Sequence, residues 1–116
     1  MESFNGKIRS VKVYGQDFWK FYDQQTKKVQ ERILWVIRVI RDIQVISEKY
    51  LKHIDDGIYE IRISSGSNIF RIFCFFDEGR LVILLNGFQK KTQKTPTKEI
   101  ERAKKLKKQY YEDKTK

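Results

Sequence analysis

Between Ile58 and Phe88 three strand-length segments rich in β-branched and aromatic residues follow one another with only short polar breaks. Ile58–Ser64, Asn68–Phe76 and Arg80–Phe88 are separated by Ser64-Ser65-Gly66-Ser67 and Asp77-Glu78-Gly79. Breaks this short join antiparallel neighbours, because a parallel crossover needs a dozen residues or more. An antiparallel meander is therefore the fixed centre of the fold, and the flanking segments must cover it.

Upstream, Ile8–Tyr14 partly alternates and predicts a first strand, ended by Gly15. Gln16–Gln25 predicts a short helix packed through Phe18, Trp19, Phe21 and Tyr22. Thr26 is placed to cap a second helix over Lys27–Ile46. Val29, Ile33, Val36, Ile37, Ile40 and Ile43 follow helical spacing there, and Leu34, Trp35 and Val39 widen the apolar surface. The two helices are expected to form an αα-hairpin. Downstream, Thr95-Pro96 predicts the N-cap and first position of a last helix. Ile100, Ala103, Leu106 and Tyr110 give it one narrow apolar stripe. The expected fold is α+β in the order β-α-α-β-β-β-α, one domain over residues 1–116.

Side chains alternate across a strand, so turn lengths fix which residues share a face. With Ser65-Gly66 and Glu78-Gly79 as two-residue turns, Glu60 lies opposite Arg71, Arg62 opposite Ile69, and Arg71 opposite Asn86. One face then carries Tyr59, Ile61, Ile63, Phe70, Ile72, Cys74, Phe76, Leu81, Ile83 and Leu85, and the helices are expected to cover it. The other carries Glu60, Arg62, Ser64, Arg71, Asn86 and, if the strand continues, Lys90, beside Phe73, Phe75, Val82 and Leu84. Arg71 interrupts the apolar run of a central strand, where a buried guanidinium needs a carboxylate, a phosphate or water. Two readings follow: Glu60 pairs with Arg71 or Arg62 as a cross-strand ion pair, or the face is an anion site, because three cations converge there and only one carboxylate answers them. A three-residue turn at either hairpin would flip the faces.

The charge distribution favours a polyanion or an acidic protein as partner. Of the formal net charge of +10, residues 1–88 carry 14 basic and 11 acidic side chains, and residues 89–116 carry 11 and 4. Asn86-Gly87-Phe88-Gln89-Lys90-Lys91-Thr92-Gln93-Lys94-Thr95-Pro96 leads from the sheet to a helix start, itself a position that suits phosphate. Lys94, Lys98, Lys104, Lys105 and Lys108 extend this basic edge as candidate RNA contacts. Phe88, Phe73 and Phe75 are candidate stacking surfaces for bases.

One cysteine, Cys74, excludes a disulfide framework and fits a reducing, cytoplasmic setting. Cys74 and His53 are too few for a zinc site, and no metal or cofactor is expected. The apolar runs are far shorter than the ~20 residues that span a bilayer, so no membrane partner is expected. Met1–Lys7 has no apolar core of a leader peptide. With no glycine-rich phosphate loop and a single surface histidine at position 53, most enzyme templates fail. RNA cleavage survives this filter. The substrate's own 2′-OH attacks the adjacent phosphorus, and the protein aligns the strand, stabilises the added negative charge and manages two protons. Arginine serves the second task as a fixed, permanently charged fork, and a lysine among other cations is a candidate for proton exchange.

Ile58-Tyr59-Glu60-Ile61-Arg62, Phe70-Arg71-Ile72-Phe73 and the stretch from Leu84 to Pro96, with its Gly-Phe-x-Lys-Lys-Thr-x-Lys-Thr-Pro pattern, resemble the HigB-like branch of the RelE/ParE toxin superfamily over about residues 8–112. The resemblance implies a RelE-like fold and a type II toxin that cleaves mRNA on the translating ribosome. It also implies a helix-turn-helix antitoxin as partner, in a shared oligomer. Arg62 and Arg71 match the strand cations that contact the scissile phosphate, and Lys90 and Lys91 the basic end of the last strand. Asn86 stands where a His often occurs and Phe70 where a Tyr is common. Tyr110 and Tyr111 read as packing or tail residues. A gyrase-inhibiting toxin of the same superfamily and a noncatalytic RNA- or partner-binding module are the rival readings.

Overall fold

Three β-turns built on left-handed residues set the sheet of this chain, seen in a computed structural model that describes Ser3–Asn5 as backbone and residues 8–116. Met1, Glu2, Gly6 and Lys7, part of the stretch read above for a leader, lie outside the described residues. Asp56-Gly57, both at positive φ (50° and 72°), link β3 (Leu51–Asp55) to β4 (Ile58–Ser65). This is the Asp-Gly two-residue hairpin, whose twist matches that of the strands it joins. Gly66-Ser67 lead from β4 to β5 (Asn68–Asp77), and Glu78-Gly79-Arg80 from β5 to β6 (Leu81–Lys90). The meander thus has four strands rather than three.

The N-terminal strands complete a mixed sheet. β1 (Ser3–Asn5) pairs antiparallel with β2 (Ser10–Val13), and β2 lies parallel to β6, giving the order β1-β2-β6-β5-β4-β3. The chain is α+β as expected. Its element order, β-β-α-α-β-β-β-β-α, corrects the seven-element expectation at β1 and β3. The β3 segment alternates poorly and lies at the sheet edge with Lys52, His53 and Asp55 exposed, so it lacked a burial signal.

Helices cover both faces of the sheet, which corrects the one-sided packing expected. On one face lie α1 (Asp17–Asp23) and α2 (Lys27–Asp42). Their core joins Phe18, Phe21, Ile33, Val36, Ile37 and Ile40 to Ile61, Ile63, Phe70, Ile72, Cys74, Val82 and Leu84. Burial there pushes the Cys74 thiol up and keeps it unreactive. On the other face lies α3 (Thr97–Lys114), whose Ala103, Leu106 and Tyr110 pack on Ile58, Phe73, Phe75, Ile83, Leu85 and Phe88. That face was expected to be too mixed for a core.

The faces changed because the β5–β6 turn has three residues, not two. It sends Val82 and Leu84 to the α1–α2 side and Ile83 and Leu85 to the α3 side. A β-bulge then restores parity: between the pairs Cys74↔Leu84 and Ile72↔Gly87, the single residue Phe73 faces both Leu85 and Asn86.

Thr26 caps α2 as expected, accepting from the Val29 N–H at 3.3 Å. The helix stops at Asp42 rather than Ile46 because Arg9 reaches its end from a distant segment. The Arg9 guanidinium donates to the carbonyls of Ile40, Ile43 and Gln44 at 3.0, 2.7 and 2.7 Å, a cationic cap at the negative end of the helix dipole. Ile43 and Trp35, expected to pack inward, are 49% and 40% exposed. At α3 the boundary shifts by one residue: Pro96, not Thr95, is the N-cap, and its carbonyl accepts from Glu99 and Ile100.

The far end of α3 is fastened by a buried carboxylate. Asp77 accepts hydrogen bonds from Tyr110 at 2.7 Å and Lys114 at 2.8 Å, while Tyr14 donates to Asp113 nearby. Burial pushes the Asp77 carboxyl up, but the bonds from Lys114 and Tyr110 outweigh it and hold the group below its ordinary range. A group lowered on folding adds stability above its unfolded pKa, and that stability is lost as pH falls through the folded value. Asp77→Asn is therefore expected to cost about 1–2 kcal/mol at pH 7. The gap to wild type should close below about pH 4 in denaturant titrations. A gap unchanged at pH 2 would contradict this role.

Candidate functional site

Arg62 and Arg71 are brought directly opposite each other by the β4–β5 register, two residues away from the expected pairing. The shift preserves parity, so both still share a face with Glu60, which now lies opposite Phe73. Like charges across a non-ladder position repel, and Glu60 relieves the repulsion. Its Oε2 is 3.4 Å from Arg62 Nε and its Oε1 is 3.6 Å from Arg71 Nε. Arg71 Nη1 also donates to the Phe70 carbonyl at 3.0 Å.

Burial separates the two arginines. Arg71 is 5% exposed and Glu60 3%, whereas the Arg62 side chain keeps a third of its surface in water. Burial pushes the Arg71 guanidinium down from its ordinary value; Glu60 pulls it up and Arg62 pushes it down again. A guanidinium stays charged through such changes. Glu60 Oε1 and Arg71 Nε have no hydrogen-bond partner, so this ion pair is not a closed one.

Past the bulge, β6 places Phe88 opposite Arg71 and Lys90 opposite Ile69. Arg62, Arg71, Lys90 and Lys91 line one open groove of about 760 Å³, walled by Ser67, Asn68, Ile69 and Gln89, with Thr92 and Gln93 at its end. The two arginines and two lysines that carry the family resemblance therefore meet at one place. Four cations without an acidic side chain beside them on the lining, among the described residues, can bind phosphate oxygens, and the buried Arg71 is the member held in a fixed pose.

Other expected site residues lie elsewhere. Phe88 is 9% exposed with its ring 5.4 Å from Phe73, and Phe73 and Phe75 are fully buried, so these rings belong to the α3 core and offer no stacking surface. Asn86 is not opposite Arg71. The bulge turns it toward α3, where it donates to the Glu99 carbonyl at 3.0 Å beside a second groove lined by Asp17, Lys20, Gln24 and Arg102. The α3 N-terminus does not line the arginine groove. Lys104 forms a surface ion pair with Asp55 of β3 at 2.8 Å, while Lys94, Lys98, Lys105 and Lys108 are exposed. His53 is exposed on β3 beside Tyr59.

Glu60 is the site residue whose part the sequence understated. It was weighed as partner to one arginine and serves both. No helix among the described residues is long and apolar enough to cross a membrane. A family model described as phage derived protein Gp49-like (DUF891) matches residues 20–108. No curated protein matches the chain.

Proposed function

The chain belongs to the phage-derived Gp49-like family (DUF891), a RelE-like toxin family, and from that premise we propose that it is a HigB-like toxin that cleaves mRNA on the ribosome and is silenced by a helix-turn-helix antitoxin. The observation that carries this reading is the convergence of Arg62, Arg71, Lys90 and Lys91 on one open groove.

A phosphodiester entering this groove passes the more exposed Arg62, Lys90 and Lys91 and is held by the fixed Arg71 guanidinium. The 2′-oxygen attacks phosphorus and gives its proton to solvent water in the open groove; a P–O2′ bond forms, and the P–O5′ bond breaks to leave a 2′,3′-cyclic phosphate and a 5′-hydroxyl. Charge on the phosphorane rises as the bond forms, and prepositioned donors stabilise it without reorganising. Arg71 and Arg62 take this part. In this reading Lys90 is assigned the proton donated to the leaving oxygen, and Lys91 the next phosphate along the strand. Glu60 is a positioning residue, which keeps two like charges close enough to act on one phosphate. Lys94, Lys98, Lys105 and Lys108 add backbone contacts along the basic end of the chain.

Mapping of mRNA 5′ ends in cells producing the chain tests this function. New ends in translated messages are expected. Broken DNA with intact messages would replace the reading with gyrase poisoning. Salt supplies a second check on the purified chain. The two phosphates held in the groove give a log–log slope of affinity against salt of about −1.4 for a single strand, steeper with each further backbone contact, and Lys91→Ala should make it shallower by about 0.7. A flat response would assign the basic end to a protein partner.

A further inference from the structure

Trp35 stands on the outer face of α2, 40% exposed, although helical spacing placed it beside core positions. Its ring is held in place: the Arg32 guanidinium lies 4.5 Å from the ring centroid, and the Tyr50 ring meets it edge-on at 5.7 Å. A large aromatic side chain fixed in water loses little entropy when another flat ring stacks on it. Around it runs a groove of about 490 Å³ lined by Lys28, Glu31, Arg32, Arg38 and the Ser64-Ser65-Gly66 end of the β4–β5 hairpin. Among the described residues three cations face one carboxylate there, and Trp35 is the only apolar side chain on the lining.

That composition fits a polyanion carrying flat rings better than an apolar protein anchor. The groove also borders the candidate phosphate site. Ser64–Gly66 form one wall of it, and the next two residues of the hairpin, Ser67 and Asn68, line the arginine groove. We propose that this face of α2 is a second contact for single-stranded RNA, where a base stacks on Trp35 and flanking phosphates meet Arg38 and Lys28. The strand leaves the arginine groove over the hairpin tip, so the inference rests on the RNA reading above and adds a direction to the bound strand.

The test uses the purified chain with a 2′-O-methyl dodecauridylate, which is not cut. In a Trp19→Phe background Trp35 is the remaining tryptophan, and its fluorescence is expected to be quenched on titration. Trp35→Ala should weaken binding about 5- to 100-fold, with part restored by Trp35→Phe. Arg38→Ala should make the salt dependence shallower by about one phosphate contact. An unquenched Trp35, with Trp35→Ala within twofold of wild type while Arg71→Lys weakens binding, overturns this surface and leaves the arginine groove standing. Binding indifferent to all three variants overturns both. Quenching by an antitoxin protein but not by the oligonucleotide makes this a protein-docking face and overturns the proposal.

Discussion

Arg71→Lys is expected to fold like the wild type and to cleave RNA about 10²-fold more slowly, with Arg71→Ala slower by up to about 10³-fold. The lysine keeps a charge beside Glu60, so the buried carboxylate stays answered. What it loses is the planar fork: a lysine is a point charge on a flexible stem and cannot span two phosphate oxygens in one fixed pose. The Arg71 position makes that loss large. Its side chain is buried and held at Nη1 by the Phe70 carbonyl, so the groove contains a guanidinium whose orientation is fixed before substrate arrives. Single-turnover cleavage of ribosome-bound mRNA reads the effect. Folded Arg71 variants that cut within about threefold of wild type would remove Arg71 from the chemistry.

Glu60→Ala has the largest expected effect on stability. It leaves Arg71 largely buried without its carboxylate, and breaking a buried pair in this way costs about 3–5 kcal/mol. Part of that is relieved by the opening beside Arg62, which is a third exposed, so a loss near 3 kcal/mol is expected. The double variant Glu60→Leu/Arg71→Met, apolar and of similar volume, should regain most of it and cut no RNA. Denaturant unfolding of the three proteins measures the difference. If Glu60→Ala unfolds like wild type, the pair holds nothing in place. If the double variant is as unstable as the single one, the loss comes from packing rather than from an uncompensated charge. A stable but inactive double variant would mark the pair as kept for function at the expense of stability.

The helices and the meander were legible because their signals are local. Thr26 and the Val29–Ile40 spacing announce α2, and the glycine-bearing turns announce the hairpins. Three things were not local. The end of α2 depends on Arg9, 31 and 34 residues upstream of the carbonyls of Ile40 and Ile43 that it reaches. The β6 register depends on Glu78-Gly79-Arg80 adding one residue to a turn and on Phe73 facing two residues farther along. Those two irregularities cancel in their effect on parity. Arg62, Arg71 and Lys90 consequently meet as strand alternation foretold, although Val82, Ile83, Leu84 and Leu85 lie on faces opposite to those expected. The missed β3 had a usable mark in Asp56-Gly57, but its exposed edge position left no alternation to accompany it.

The grouping of cations began as a charge imbalance in a 116-residue chain. It resolves into a buried arginine, an exposed arginine and two lysines around one groove, with a carboxylate behind them. We propose that this groove acts on RNA through the substrate's own hydroxyl. The most direct measurement compares two ribosome-bound messages that differ by a single 2′-deoxy nucleotide at the cut site. Cleavage of the all-ribose message to a 2′,3′-cyclic phosphate and a 5′-hydroxyl, with the deoxy message left intact, is the predicted result. Equal cleavage of both messages would contradict it.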